Sequence, residues 1–295
     1  MAARSRHRVL VVGASGFLGK TLGERLAKSG GSLLLAARKR THAPAGAKVI
    51  CGDLEDIGFC RRILKNIDTV YYTAAFKKNI AVHTGAPFDA IAGNVASLVT
   101  FLRAAKSSKI RKLIYVSSTI VEYVSLEDTS IDGYVWGKYI GEMIVKAFAK
   151  VTGIDVKIAR SAPLYGAGDN FDPKTANFIP AFIRRVTEAD TEVVIWGSGT
   201  RILQFIYVDD LARNLIAAAK SSSKFFVFGN PERISVQGIA KKIMRLSRRD
   251  LTIRHDLLKP DKETKCATFK NLIPPKVDME EGLQKTLQYY RTHHV

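Results

Sequence analysis

Apolar residues in this chain fall into short runs rich in Val, Leu, Ile and Tyr, separated by longer stretches with helical spacing. The runs Arg8 to Val12, Ser32 to Ala37, Lys48 to Cys51 and Thr69 to Tyr72 read as strands, with a helix from about Phe17 after the first. The rhythm continues with a helix near Asn94 to Ser107, a strand from Lys112 to Ser118, a helix from about Tyr134 to Val151 and a strand from Asp155 to Arg160. Strands that alternate with helices pair in parallel through right-handed crossovers, so the pattern predicts an α/β fold with a Rossmann doubly wound parallel sheet. After Arg160 the rhythm breaks into a loop rich in Gly, Pro and Asp, Ser161 to Pro173, followed by short mixed elements. A smaller, discontinuous C-terminal substrate lobe is therefore expected at about 161–202 and 230–295. The Rossmann domain would take 1–160 and about 203–229, since Gln204 to Val208 and a helix from Asp209 read as a return to the sheet. A last helix, Asp278 to Arg291, opens with the spacing of a capping box, and His293 and His294 are expected to fray beyond it.

The 295 residues are 46% hydrophobic and 25% charged, which is ordinary globular usage. Nothing approaches the roughly 18 uninterrupted apolar residues of a membrane span, and the start runs directly into a strand, so a soluble chain without a membrane partner is expected. The 3 cysteines, Cys51, Cys60 and Cys266, form no C-x-x-C pair, which fits free thiols in a reducing, cytoplasmic compartment. The 6 histidines lack metal-ligand spacing, so no metal is expected. The net charge of +19 is spread over several helices without a dominant tail, which fits solvated helix faces or a field that attracts phosphate-bearing ligands better than nucleic acid.

The first strand runs into Gly13-Ala14-Ser15-Gly16-Phe17-Leu18-Gly19, which opens the first helix. Glycines there let backbone approach a pyrophosphate, and the helix N-terminus favours its charge, so these residues are the expected cofactor cradle. An acidic residue at the end of the second strand would select NAD(H) through the ribose hydroxyl. That strand ends instead in Ala36-Ala37-Arg38-Lys39-Arg40, and Arg38, the nearest to the strand end, suits the extra phosphate of NADP(H); the other reading of this cluster is a solvated loop.

Tyr134 and Lys138 are four apart on a helix and so share one face. A phenol with a pKa of about 10 is a poor proton donor or acceptor at neutral pH, and a neighbouring ammonium is expected to lower it. The preceding strand ends Val116-Ser117-Ser118-Thr119, which brings a hydroxyl close enough to bond a substrate carbonyl beside the tyrosine.

With these features the chain resembles the extended short-chain dehydrogenase/reductases over nearly its whole length. Within them it is similar to the GDP-4-keto-6-deoxymannose epimerase-reductases, or GDP-fucose synthases. The likeness is carried by Ile80, Pro87, Asp89, Ile91 and Asn94; by Leu164-Tyr165-Gly166 and Asp169-Asn170-Phe171; by Ile179-Pro180-Ala181 with Arg184-Arg185; and by Trp196-Gly197-Ser198-Gly199-Thr200 with Asp209-Asp210. It implies NADPH, a nucleotide-sugar substrate of the 4-keto-6-deoxy class, and hydride delivery to C4 with Tyr134 as acid. The family's catalytic triad maps onto Ser117, Tyr134 and Lys138, and other extended members would use the position of Thr119. Asp53 and Leu54 map onto the adenine contact, and Thr73, Ala74 and Ala75 onto the nicotinamide ribose side. Substrate contacts map onto Asn177, Arg185, Trp196 and Asp261; Trp196 could equally be a core aromatic. A further family arginine falls at Leu203, and Arg201, on the same face of a strand, is its substitute. The resemblance also implies a homodimer built on the helices containing Asn94 and Tyr134.

Two departures refine the expectation. The epimerising members use a cysteine and a histidine where this chain has Thr119 and Asn177, neither of which titrates near neutral pH. Reduction is left intact and C3/C5 epimerisation is not expected; the short stretch from Thr119 to Tyr134 also lacks the Asp-Glu pair of 4,6-dehydratases. A nucleotide-sugar epimerase or another alcohol dehydrogenase is the alternative enzyme. A non-catalytic NADP-binding regulator is the alternative outside enzymes, but it would be free to lose Tyr134 or Lys138, and both are present.

Overall fold

The computed structural model describes residues 7–75, 80–125, 132–259 and 266–294. The chain runs β1 (Arg8–Val12), α1 (Phe17–Ala27), β2 (Ser32–Ala37), β3 (Ala47–Cys51), α2 (Ile57–Ile63), β4 (Thr69–Tyr72), α3 (Ile80–Gly85), α4 (Pro87–Lys106), β5 (Lys112–Ser118), α5 (Gly133–Thr152) and β6 (Asp155–Ser161). It continues through β7 (Leu164–Tyr165), α6 (Phe178–Glu188), β8 (Glu192–Trp196), β9 (Ile202–Leu203), β10 (Ile206–Tyr207), α7 (Val208–Ala218), β11 (Phe225–Phe228), β12 (Ile234–Ser235), α8 (Val236–Ser247), β13 (Thr252–Asp256) and α9 (Met279–His294). The one-turn α3 is too short to show a period in the sequence. The helix expected near Asn94 begins at Pro87, in the first turn, where a missing N–H costs nothing.

The chain divides into two units, Met1–Ser161 with Ala212–Val227, and Ala162–Leu211 with Phe228–Val295. The first is built on a 7-stranded sheet in the order β11-β6-β5-β4-β1-β2-β3. The order reverses between β1 and β4, and because the paired strands are parallel, their C-terminal ends share one edge. The expected return at Gln204 to Val208 is corrected. β9 pairs with β12 and β10 with β7 in separate two-stranded sheets of the second unit, and the strand that rejoins the main sheet is β11. Two-residue strands carry too little pattern to show which sheet they join.

One face of the large sheet is covered by α2, α4 and α5, whose Phe59, Ile63, Leu98, Phe101, Leu102, Val145 and Phe148 pack on Leu10, Val12, Tyr72, Leu113 and Tyr115. By length and composition α4 could cross a membrane, with a window of mean hydropathy 1.2. Its buried residues Leu98, Phe101, Leu102, Ala104 and Ala105 account for much of that hydropathy, since they belong to or line this core. Lys157, in the middle of β6, is fully buried; its ammonium donates to Ser221 O at 2.6 Å and Ser223 O at 3.0 Å, with Asp155 at 3.3 Å. Such a charge is tolerated because each donor finds an acceptor.

The second unit includes α8 and α9, where the basic surface is partly consumed at home: Arg245 and Lys242 reach Glu280 at 2.6 and 3.3 Å. Contrary to the expected fraying, His293 and His294 lie inside α9, with His294 packed 5.1 Å from the Phe171 ring.

Gly133, Gly137 and Gly141 form a stripe along α5 that lets it approach its neighbours closely. A Cβ on Gly133 would lie 2.7 Å from Ala90 Cβ, and one on Gly137 would lie 3.1 Å from Asn94 Cβ. At Gly141 it would overlap the buried Tyr115 hydroxyl and come within 3.0 Å of the ring. Helix propensity favours Gly141→Ala by ~1 kcal/mol, but overpacking costs ~1–3 kcal/mol, so a net destabilisation of up to ~2 kcal/mol is expected in urea unfolding.

Candidate active site

The cofactor cradle forms where β1 gives way to α1. Gly13 has φ +85 and meets the chain after β4 so closely that a Cβ would lie 2.7 Å from Ala74 Cα, which leaves no room for a side chain. Its N–H and that of Ala14 both donate to Ala36 O at 3.0 Å, tying the turn to β2. Gly16 is the N-cap of α1 without a side-chain cap, and the first turn holds no acidic residue. The N–H groups of that turn, with Ser15 half-buried and Leu18 and Gly19 buried behind them, suit an anionic diphosphate. Arg38 is exposed immediately after β2, and Phe17 is half-buried at the start of α1. Thr73 follows β4 and donates from Oγ1 to Val12 O at 2.7 Å, with Ala74 half-buried and Ala75 exposed beyond it. Asp53 accepts from Glu55 N at 3.0 Å, while the half-buried Leu54 packs against the core. All these positions follow C-terminal ends of β1, β2, β3 or β4 and so collect on one edge of the sheet. The residues present fit a dinucleotide.

The helix bearing Tyr134 and Lys138 starts where it does because Asp132 caps it, accepting from Tyr134 N at 2.9 Å and Val135 N at 3.2 Å. Tyr134 contacts the His83 ring at 5.3 Å and hydrogen-bonds the Ser118 hydroxyl. Burial pushes its phenol up to about 12, the Asp132 carboxylate adds to that, and the Ser118 bond opposes it. The expected lowering by a neighbouring ammonium is therefore corrected: burial outweighs what favours the phenolate. Lys138 is buried, with Nζ donating to Val116 O at 2.8 Å and lying 5.2 Å from the Tyr115 ring centroid.

Ser117, mapped with Tyr134 and Lys138 as a triad, is engaged elsewhere. It is buried, and its hydroxyl donates to Glu142 Oε1 at 2.6 Å. Glu142 is in turn gripped by Arg160 Nε and Nη2, each at 2.8 Å, and Arg160 Nη1 reaches Glu122 at 3.4 Å. The carboxylates hold Arg160 above its ordinary range. Thr119 begins a short 3-10 turn and donates to Ser161 O at 3.4 Å. Sequence reasoning did not single out Ser118, His83, Glu142 or Arg160; Glu142, at the i+8 position from Tyr134, was the one with a spacing signal.

In the second unit, Asn177 is the half-buried N-cap of α6. Arg185 is half-buried, donates to Val194 O at 3.2 Å and lies over Phe182, with burial and Arg184 pulling its pKa down. Trp196 is 59% exposed, which rules out the core alternative, and carries Lys259 Nζ at 3.8 Å over its ring. Arg201 is half-buried next to β9. Asp210 is buried and accepts from Lys276 N and Val277 N, each at 3.0 Å. Asp261 lies outside the described residues.

Comparison with known proteins finds relatives and solved structures over nearly the whole chain. Over nearly full length the chain is 25% identical to a GDP-L-fucose synthase of Azorhizobium caulinodans, covering 97% of this chain and 96% of the relative. It is equally 25% identical to a dTDP-4-dehydro-6-deoxy-D-allose reductase of Streptomyces bikiniensis, with the same coverage. In fold it matches the UDP-glucose 4-epimerase of Thermotoga maritima, solved with UDP-glucose, at a TM-score of 0.84 and 23% identity over 97% of this chain and 99% of that one. The family model for the NAD dependent epimerase/dehydratase family matches residues 9–228, spanning the glycine turn and the Tyr134–Lys138 helix, and the chain belongs to that family.

Proposed function

We propose that this protein is a nucleotide-sugar oxidoreductase that uses NADP(H) to reduce a nucleoside-diphosphate-linked 4-keto-6-deoxy sugar, without epimerising C3 or C5. The observation that carries the reading is the placement of Tyr134: a phenol that the Asp132 cap fixes in the first turn of α5, with the buried Lys138 one turn further along the same helix, in the unit that holds the glycine turn. A group with a pKa of about 12 is an acid, not a base, at neutral pH. The reduced nicotinamide supplies a hydride when bound. Tyr134 donates the proton to the carbonyl oxygen as the hydride arrives, and Lys138 fixes the helix and presents positive charge to the phenolate left behind. The relatives support the substrate class: one is named a fucose synthase and another a ketosugar reductase. Thr119 and Asn177 stand where epimerising members place acid/base groups, which favours reduction alone. A homodimer through α4 and α5 and a cytoplasmic location belong to the same reading.

Four outcomes are expected. NADPH oxidation with an in situ generated nucleotide 4-keto-6-deoxy sugar gives, by NMR, a 6-deoxyhexose with unchanged C3 and C5; a fucose product from the GDP-linked mannose form would refute the reductase-only reading. Arg38→Ala weakens NADPH binding about 10- to 100-fold, the worth of a charge-assisted pair, with little change for NADH; equal weakening of both would remove Arg38 from the 2′-phosphate. The rate of reduction is flat in Tyr134 ionisation through pH 6–9, because the raised pKa keeps the acid form, while the reverse oxidation, which needs phenolate, rises with pH. Asp132→Asn keeps the helix cap, removes the charge that raises the phenol, and shifts that alkaline rise to lower pH.

A further inference from the structure

Along the sequence the positive charge is spread over several helices, but the fold gathers it. The first unit holds 28 Lys and Arg against 12 Asp and Glu, and so carries nearly all of the net charge of +19. In the second unit many basic side chains are met by carboxylates: Arg254 by Glu192, Lys285 by Glu281, and Lys242 and Arg245 by Glu280. In the first, crossover helices run antiparallel to the strands they connect, so their C-terminal ends collect at the edge where the strands begin, opposite the glycine turn. There α2 ends in Arg61 and Arg62 with Lys65 beyond, α4 ends in Lys106 with Lys109 beyond, and α5 ends beside Lys150. α4 packs against both α2 and α5. Neighbouring helix axes lie about 10 Å apart, so these charges form a row about 20 Å long, which Lys28 after α1 and Lys220 after α7 widen. All are exposed, and none forms an ion pair among the described residues. Two carboxylates at this edge are already taken. Asp68 accepts from Arg8 N at 2.9 Å and Arg111 at 2.6 Å, and Asp155 faces Lys157 at 3.3 Å and Lys112 at 3.8 Å. The helix dipole accounts for a basic residue in each last turn, but not for so many left unpaired.

We propose that this edge of the first unit is a docking surface for an anionic phospholipid bilayer, which it meets reversibly through the ends of its helices. The inference goes beyond the proposed reaction and does not depend on it. No membrane partner was expected from the sequence because it holds neither a spanning run nor a basic tail, and a peripheral contact needs neither. Two features favour lipid over nucleic acid. The charges spread in two directions over several helix ends, whereas a groove is read by the side of one helix or by a ribbon. Val151, beside Lys150, is 70% exposed, and an apolar side chain among cations suits the headgroup boundary. Each Lys or Arg near an anionic leaflet changes binding about 5-fold. Docked in this way, the edge that carries the glycine turn and Tyr134 faces away from the lipid.

The test is co-sedimentation of the full chain with vesicles of phosphatidylcholine, with and without phosphatidylglycerol, at about 0.1 M salt, where the Debye length is about 10 Å. The protein is expected to sediment with the anionic vesicles and not with phosphatidylcholine alone, and to be released at about 1 M salt. Lys65→Gln with Lys106→Gln removes two charges from the row and is expected to weaken vesicle binding about 25-fold at an unchanged melting temperature. Lys65→Glu with Lys106→Glu weakens it further. Lys241→Gln with Lys270→Gln, which removes two exposed charges from the second unit, is expected to leave binding unchanged. Equal loss in the two glutamine pairs would reduce the effect to net charge and overturn the surface, as would sedimentation with neither kind of vesicle or with both alike. Tighter binding to a duplex RNA than to the anionic vesicles at the same salt would assign the edge to nucleic acid and overturn the bilayer.

Discussion

Three successive turns of α5 hold three successive residues of β5. Tyr134 bonds Ser118, Lys138 donates to Val116 O, and Glu142 accepts from Ser117. A helix returns to nearly the same face every four residues, drifting by ~40° each time, so one stripe can follow a strand for two turns. The glycine stripe at 133, 137 and 141 makes the approach possible, since side chains there would strike α4 or Tyr115. The position of the phenol is thus set by close packing along α5 and by the Asp132 cap.

That clamp matters because the remaining chemistry is delivered by the ends of parallel strands. Gly13, Arg38, Thr73 and the serines all follow or end strands whose C-termini share one edge, on either side of the reversal in strand order between β1 and β4. On the proposed reading, backbone N–H groups at the start of α1 would meet the cofactor's charge and α5 would present the proton donor. The two are brought into one register by the sheet ladder, in which Val12 faces Ala36 on one side and Tyr72 on the other. The pair of buried Glu142 and half-buried Arg160 extends that register to β6, because Arg160 sits opposite Ser117.

Elements with strong periodicity were legible in the sequence: the strands and helices from Arg8 to Arg160 lie close to where hydrophobic spacing puts them, and the glycine turn and the Tyr134–Lys138 pair stand out through local spacing. What was not legible depends on long-range pairing. The two-residue β9 and β10 have no period, so their pairing with β12 and β7 could not be told from a return to the main sheet. Adjacent serines are equivalent on paper, and only the carboxylate eight residues beyond Tyr134, with the arginine from the next strand, shows which of them, Ser117, is held there. His83 lies on a helix of one turn, and its contact with the Tyr134 ring leaves no trace in spacing.

The same burial that fixes Tyr134 also narrows what it can do. Removing a proton from a carbon beside a ketone needs a base that is ionised near neutral pH, whereas completing a hydride transfer needs only an acid that is protonated when the alkoxide forms. Desolvation and the Asp132 carboxylate push the phenol up to about 12, and so toward the second task. At the two positions where epimerising relatives of the resembled group hold titrating side chains, this chain has a hydroxyl bonded to Ser161 O and an amide at a helix N-cap. Neither can take up a carbon-bound proton at neutral pH. On the proposed reading, local electrostatics at Tyr134 and residue chemistry at Thr119 and Asn177 favour the same task, proton donation, from different physical causes.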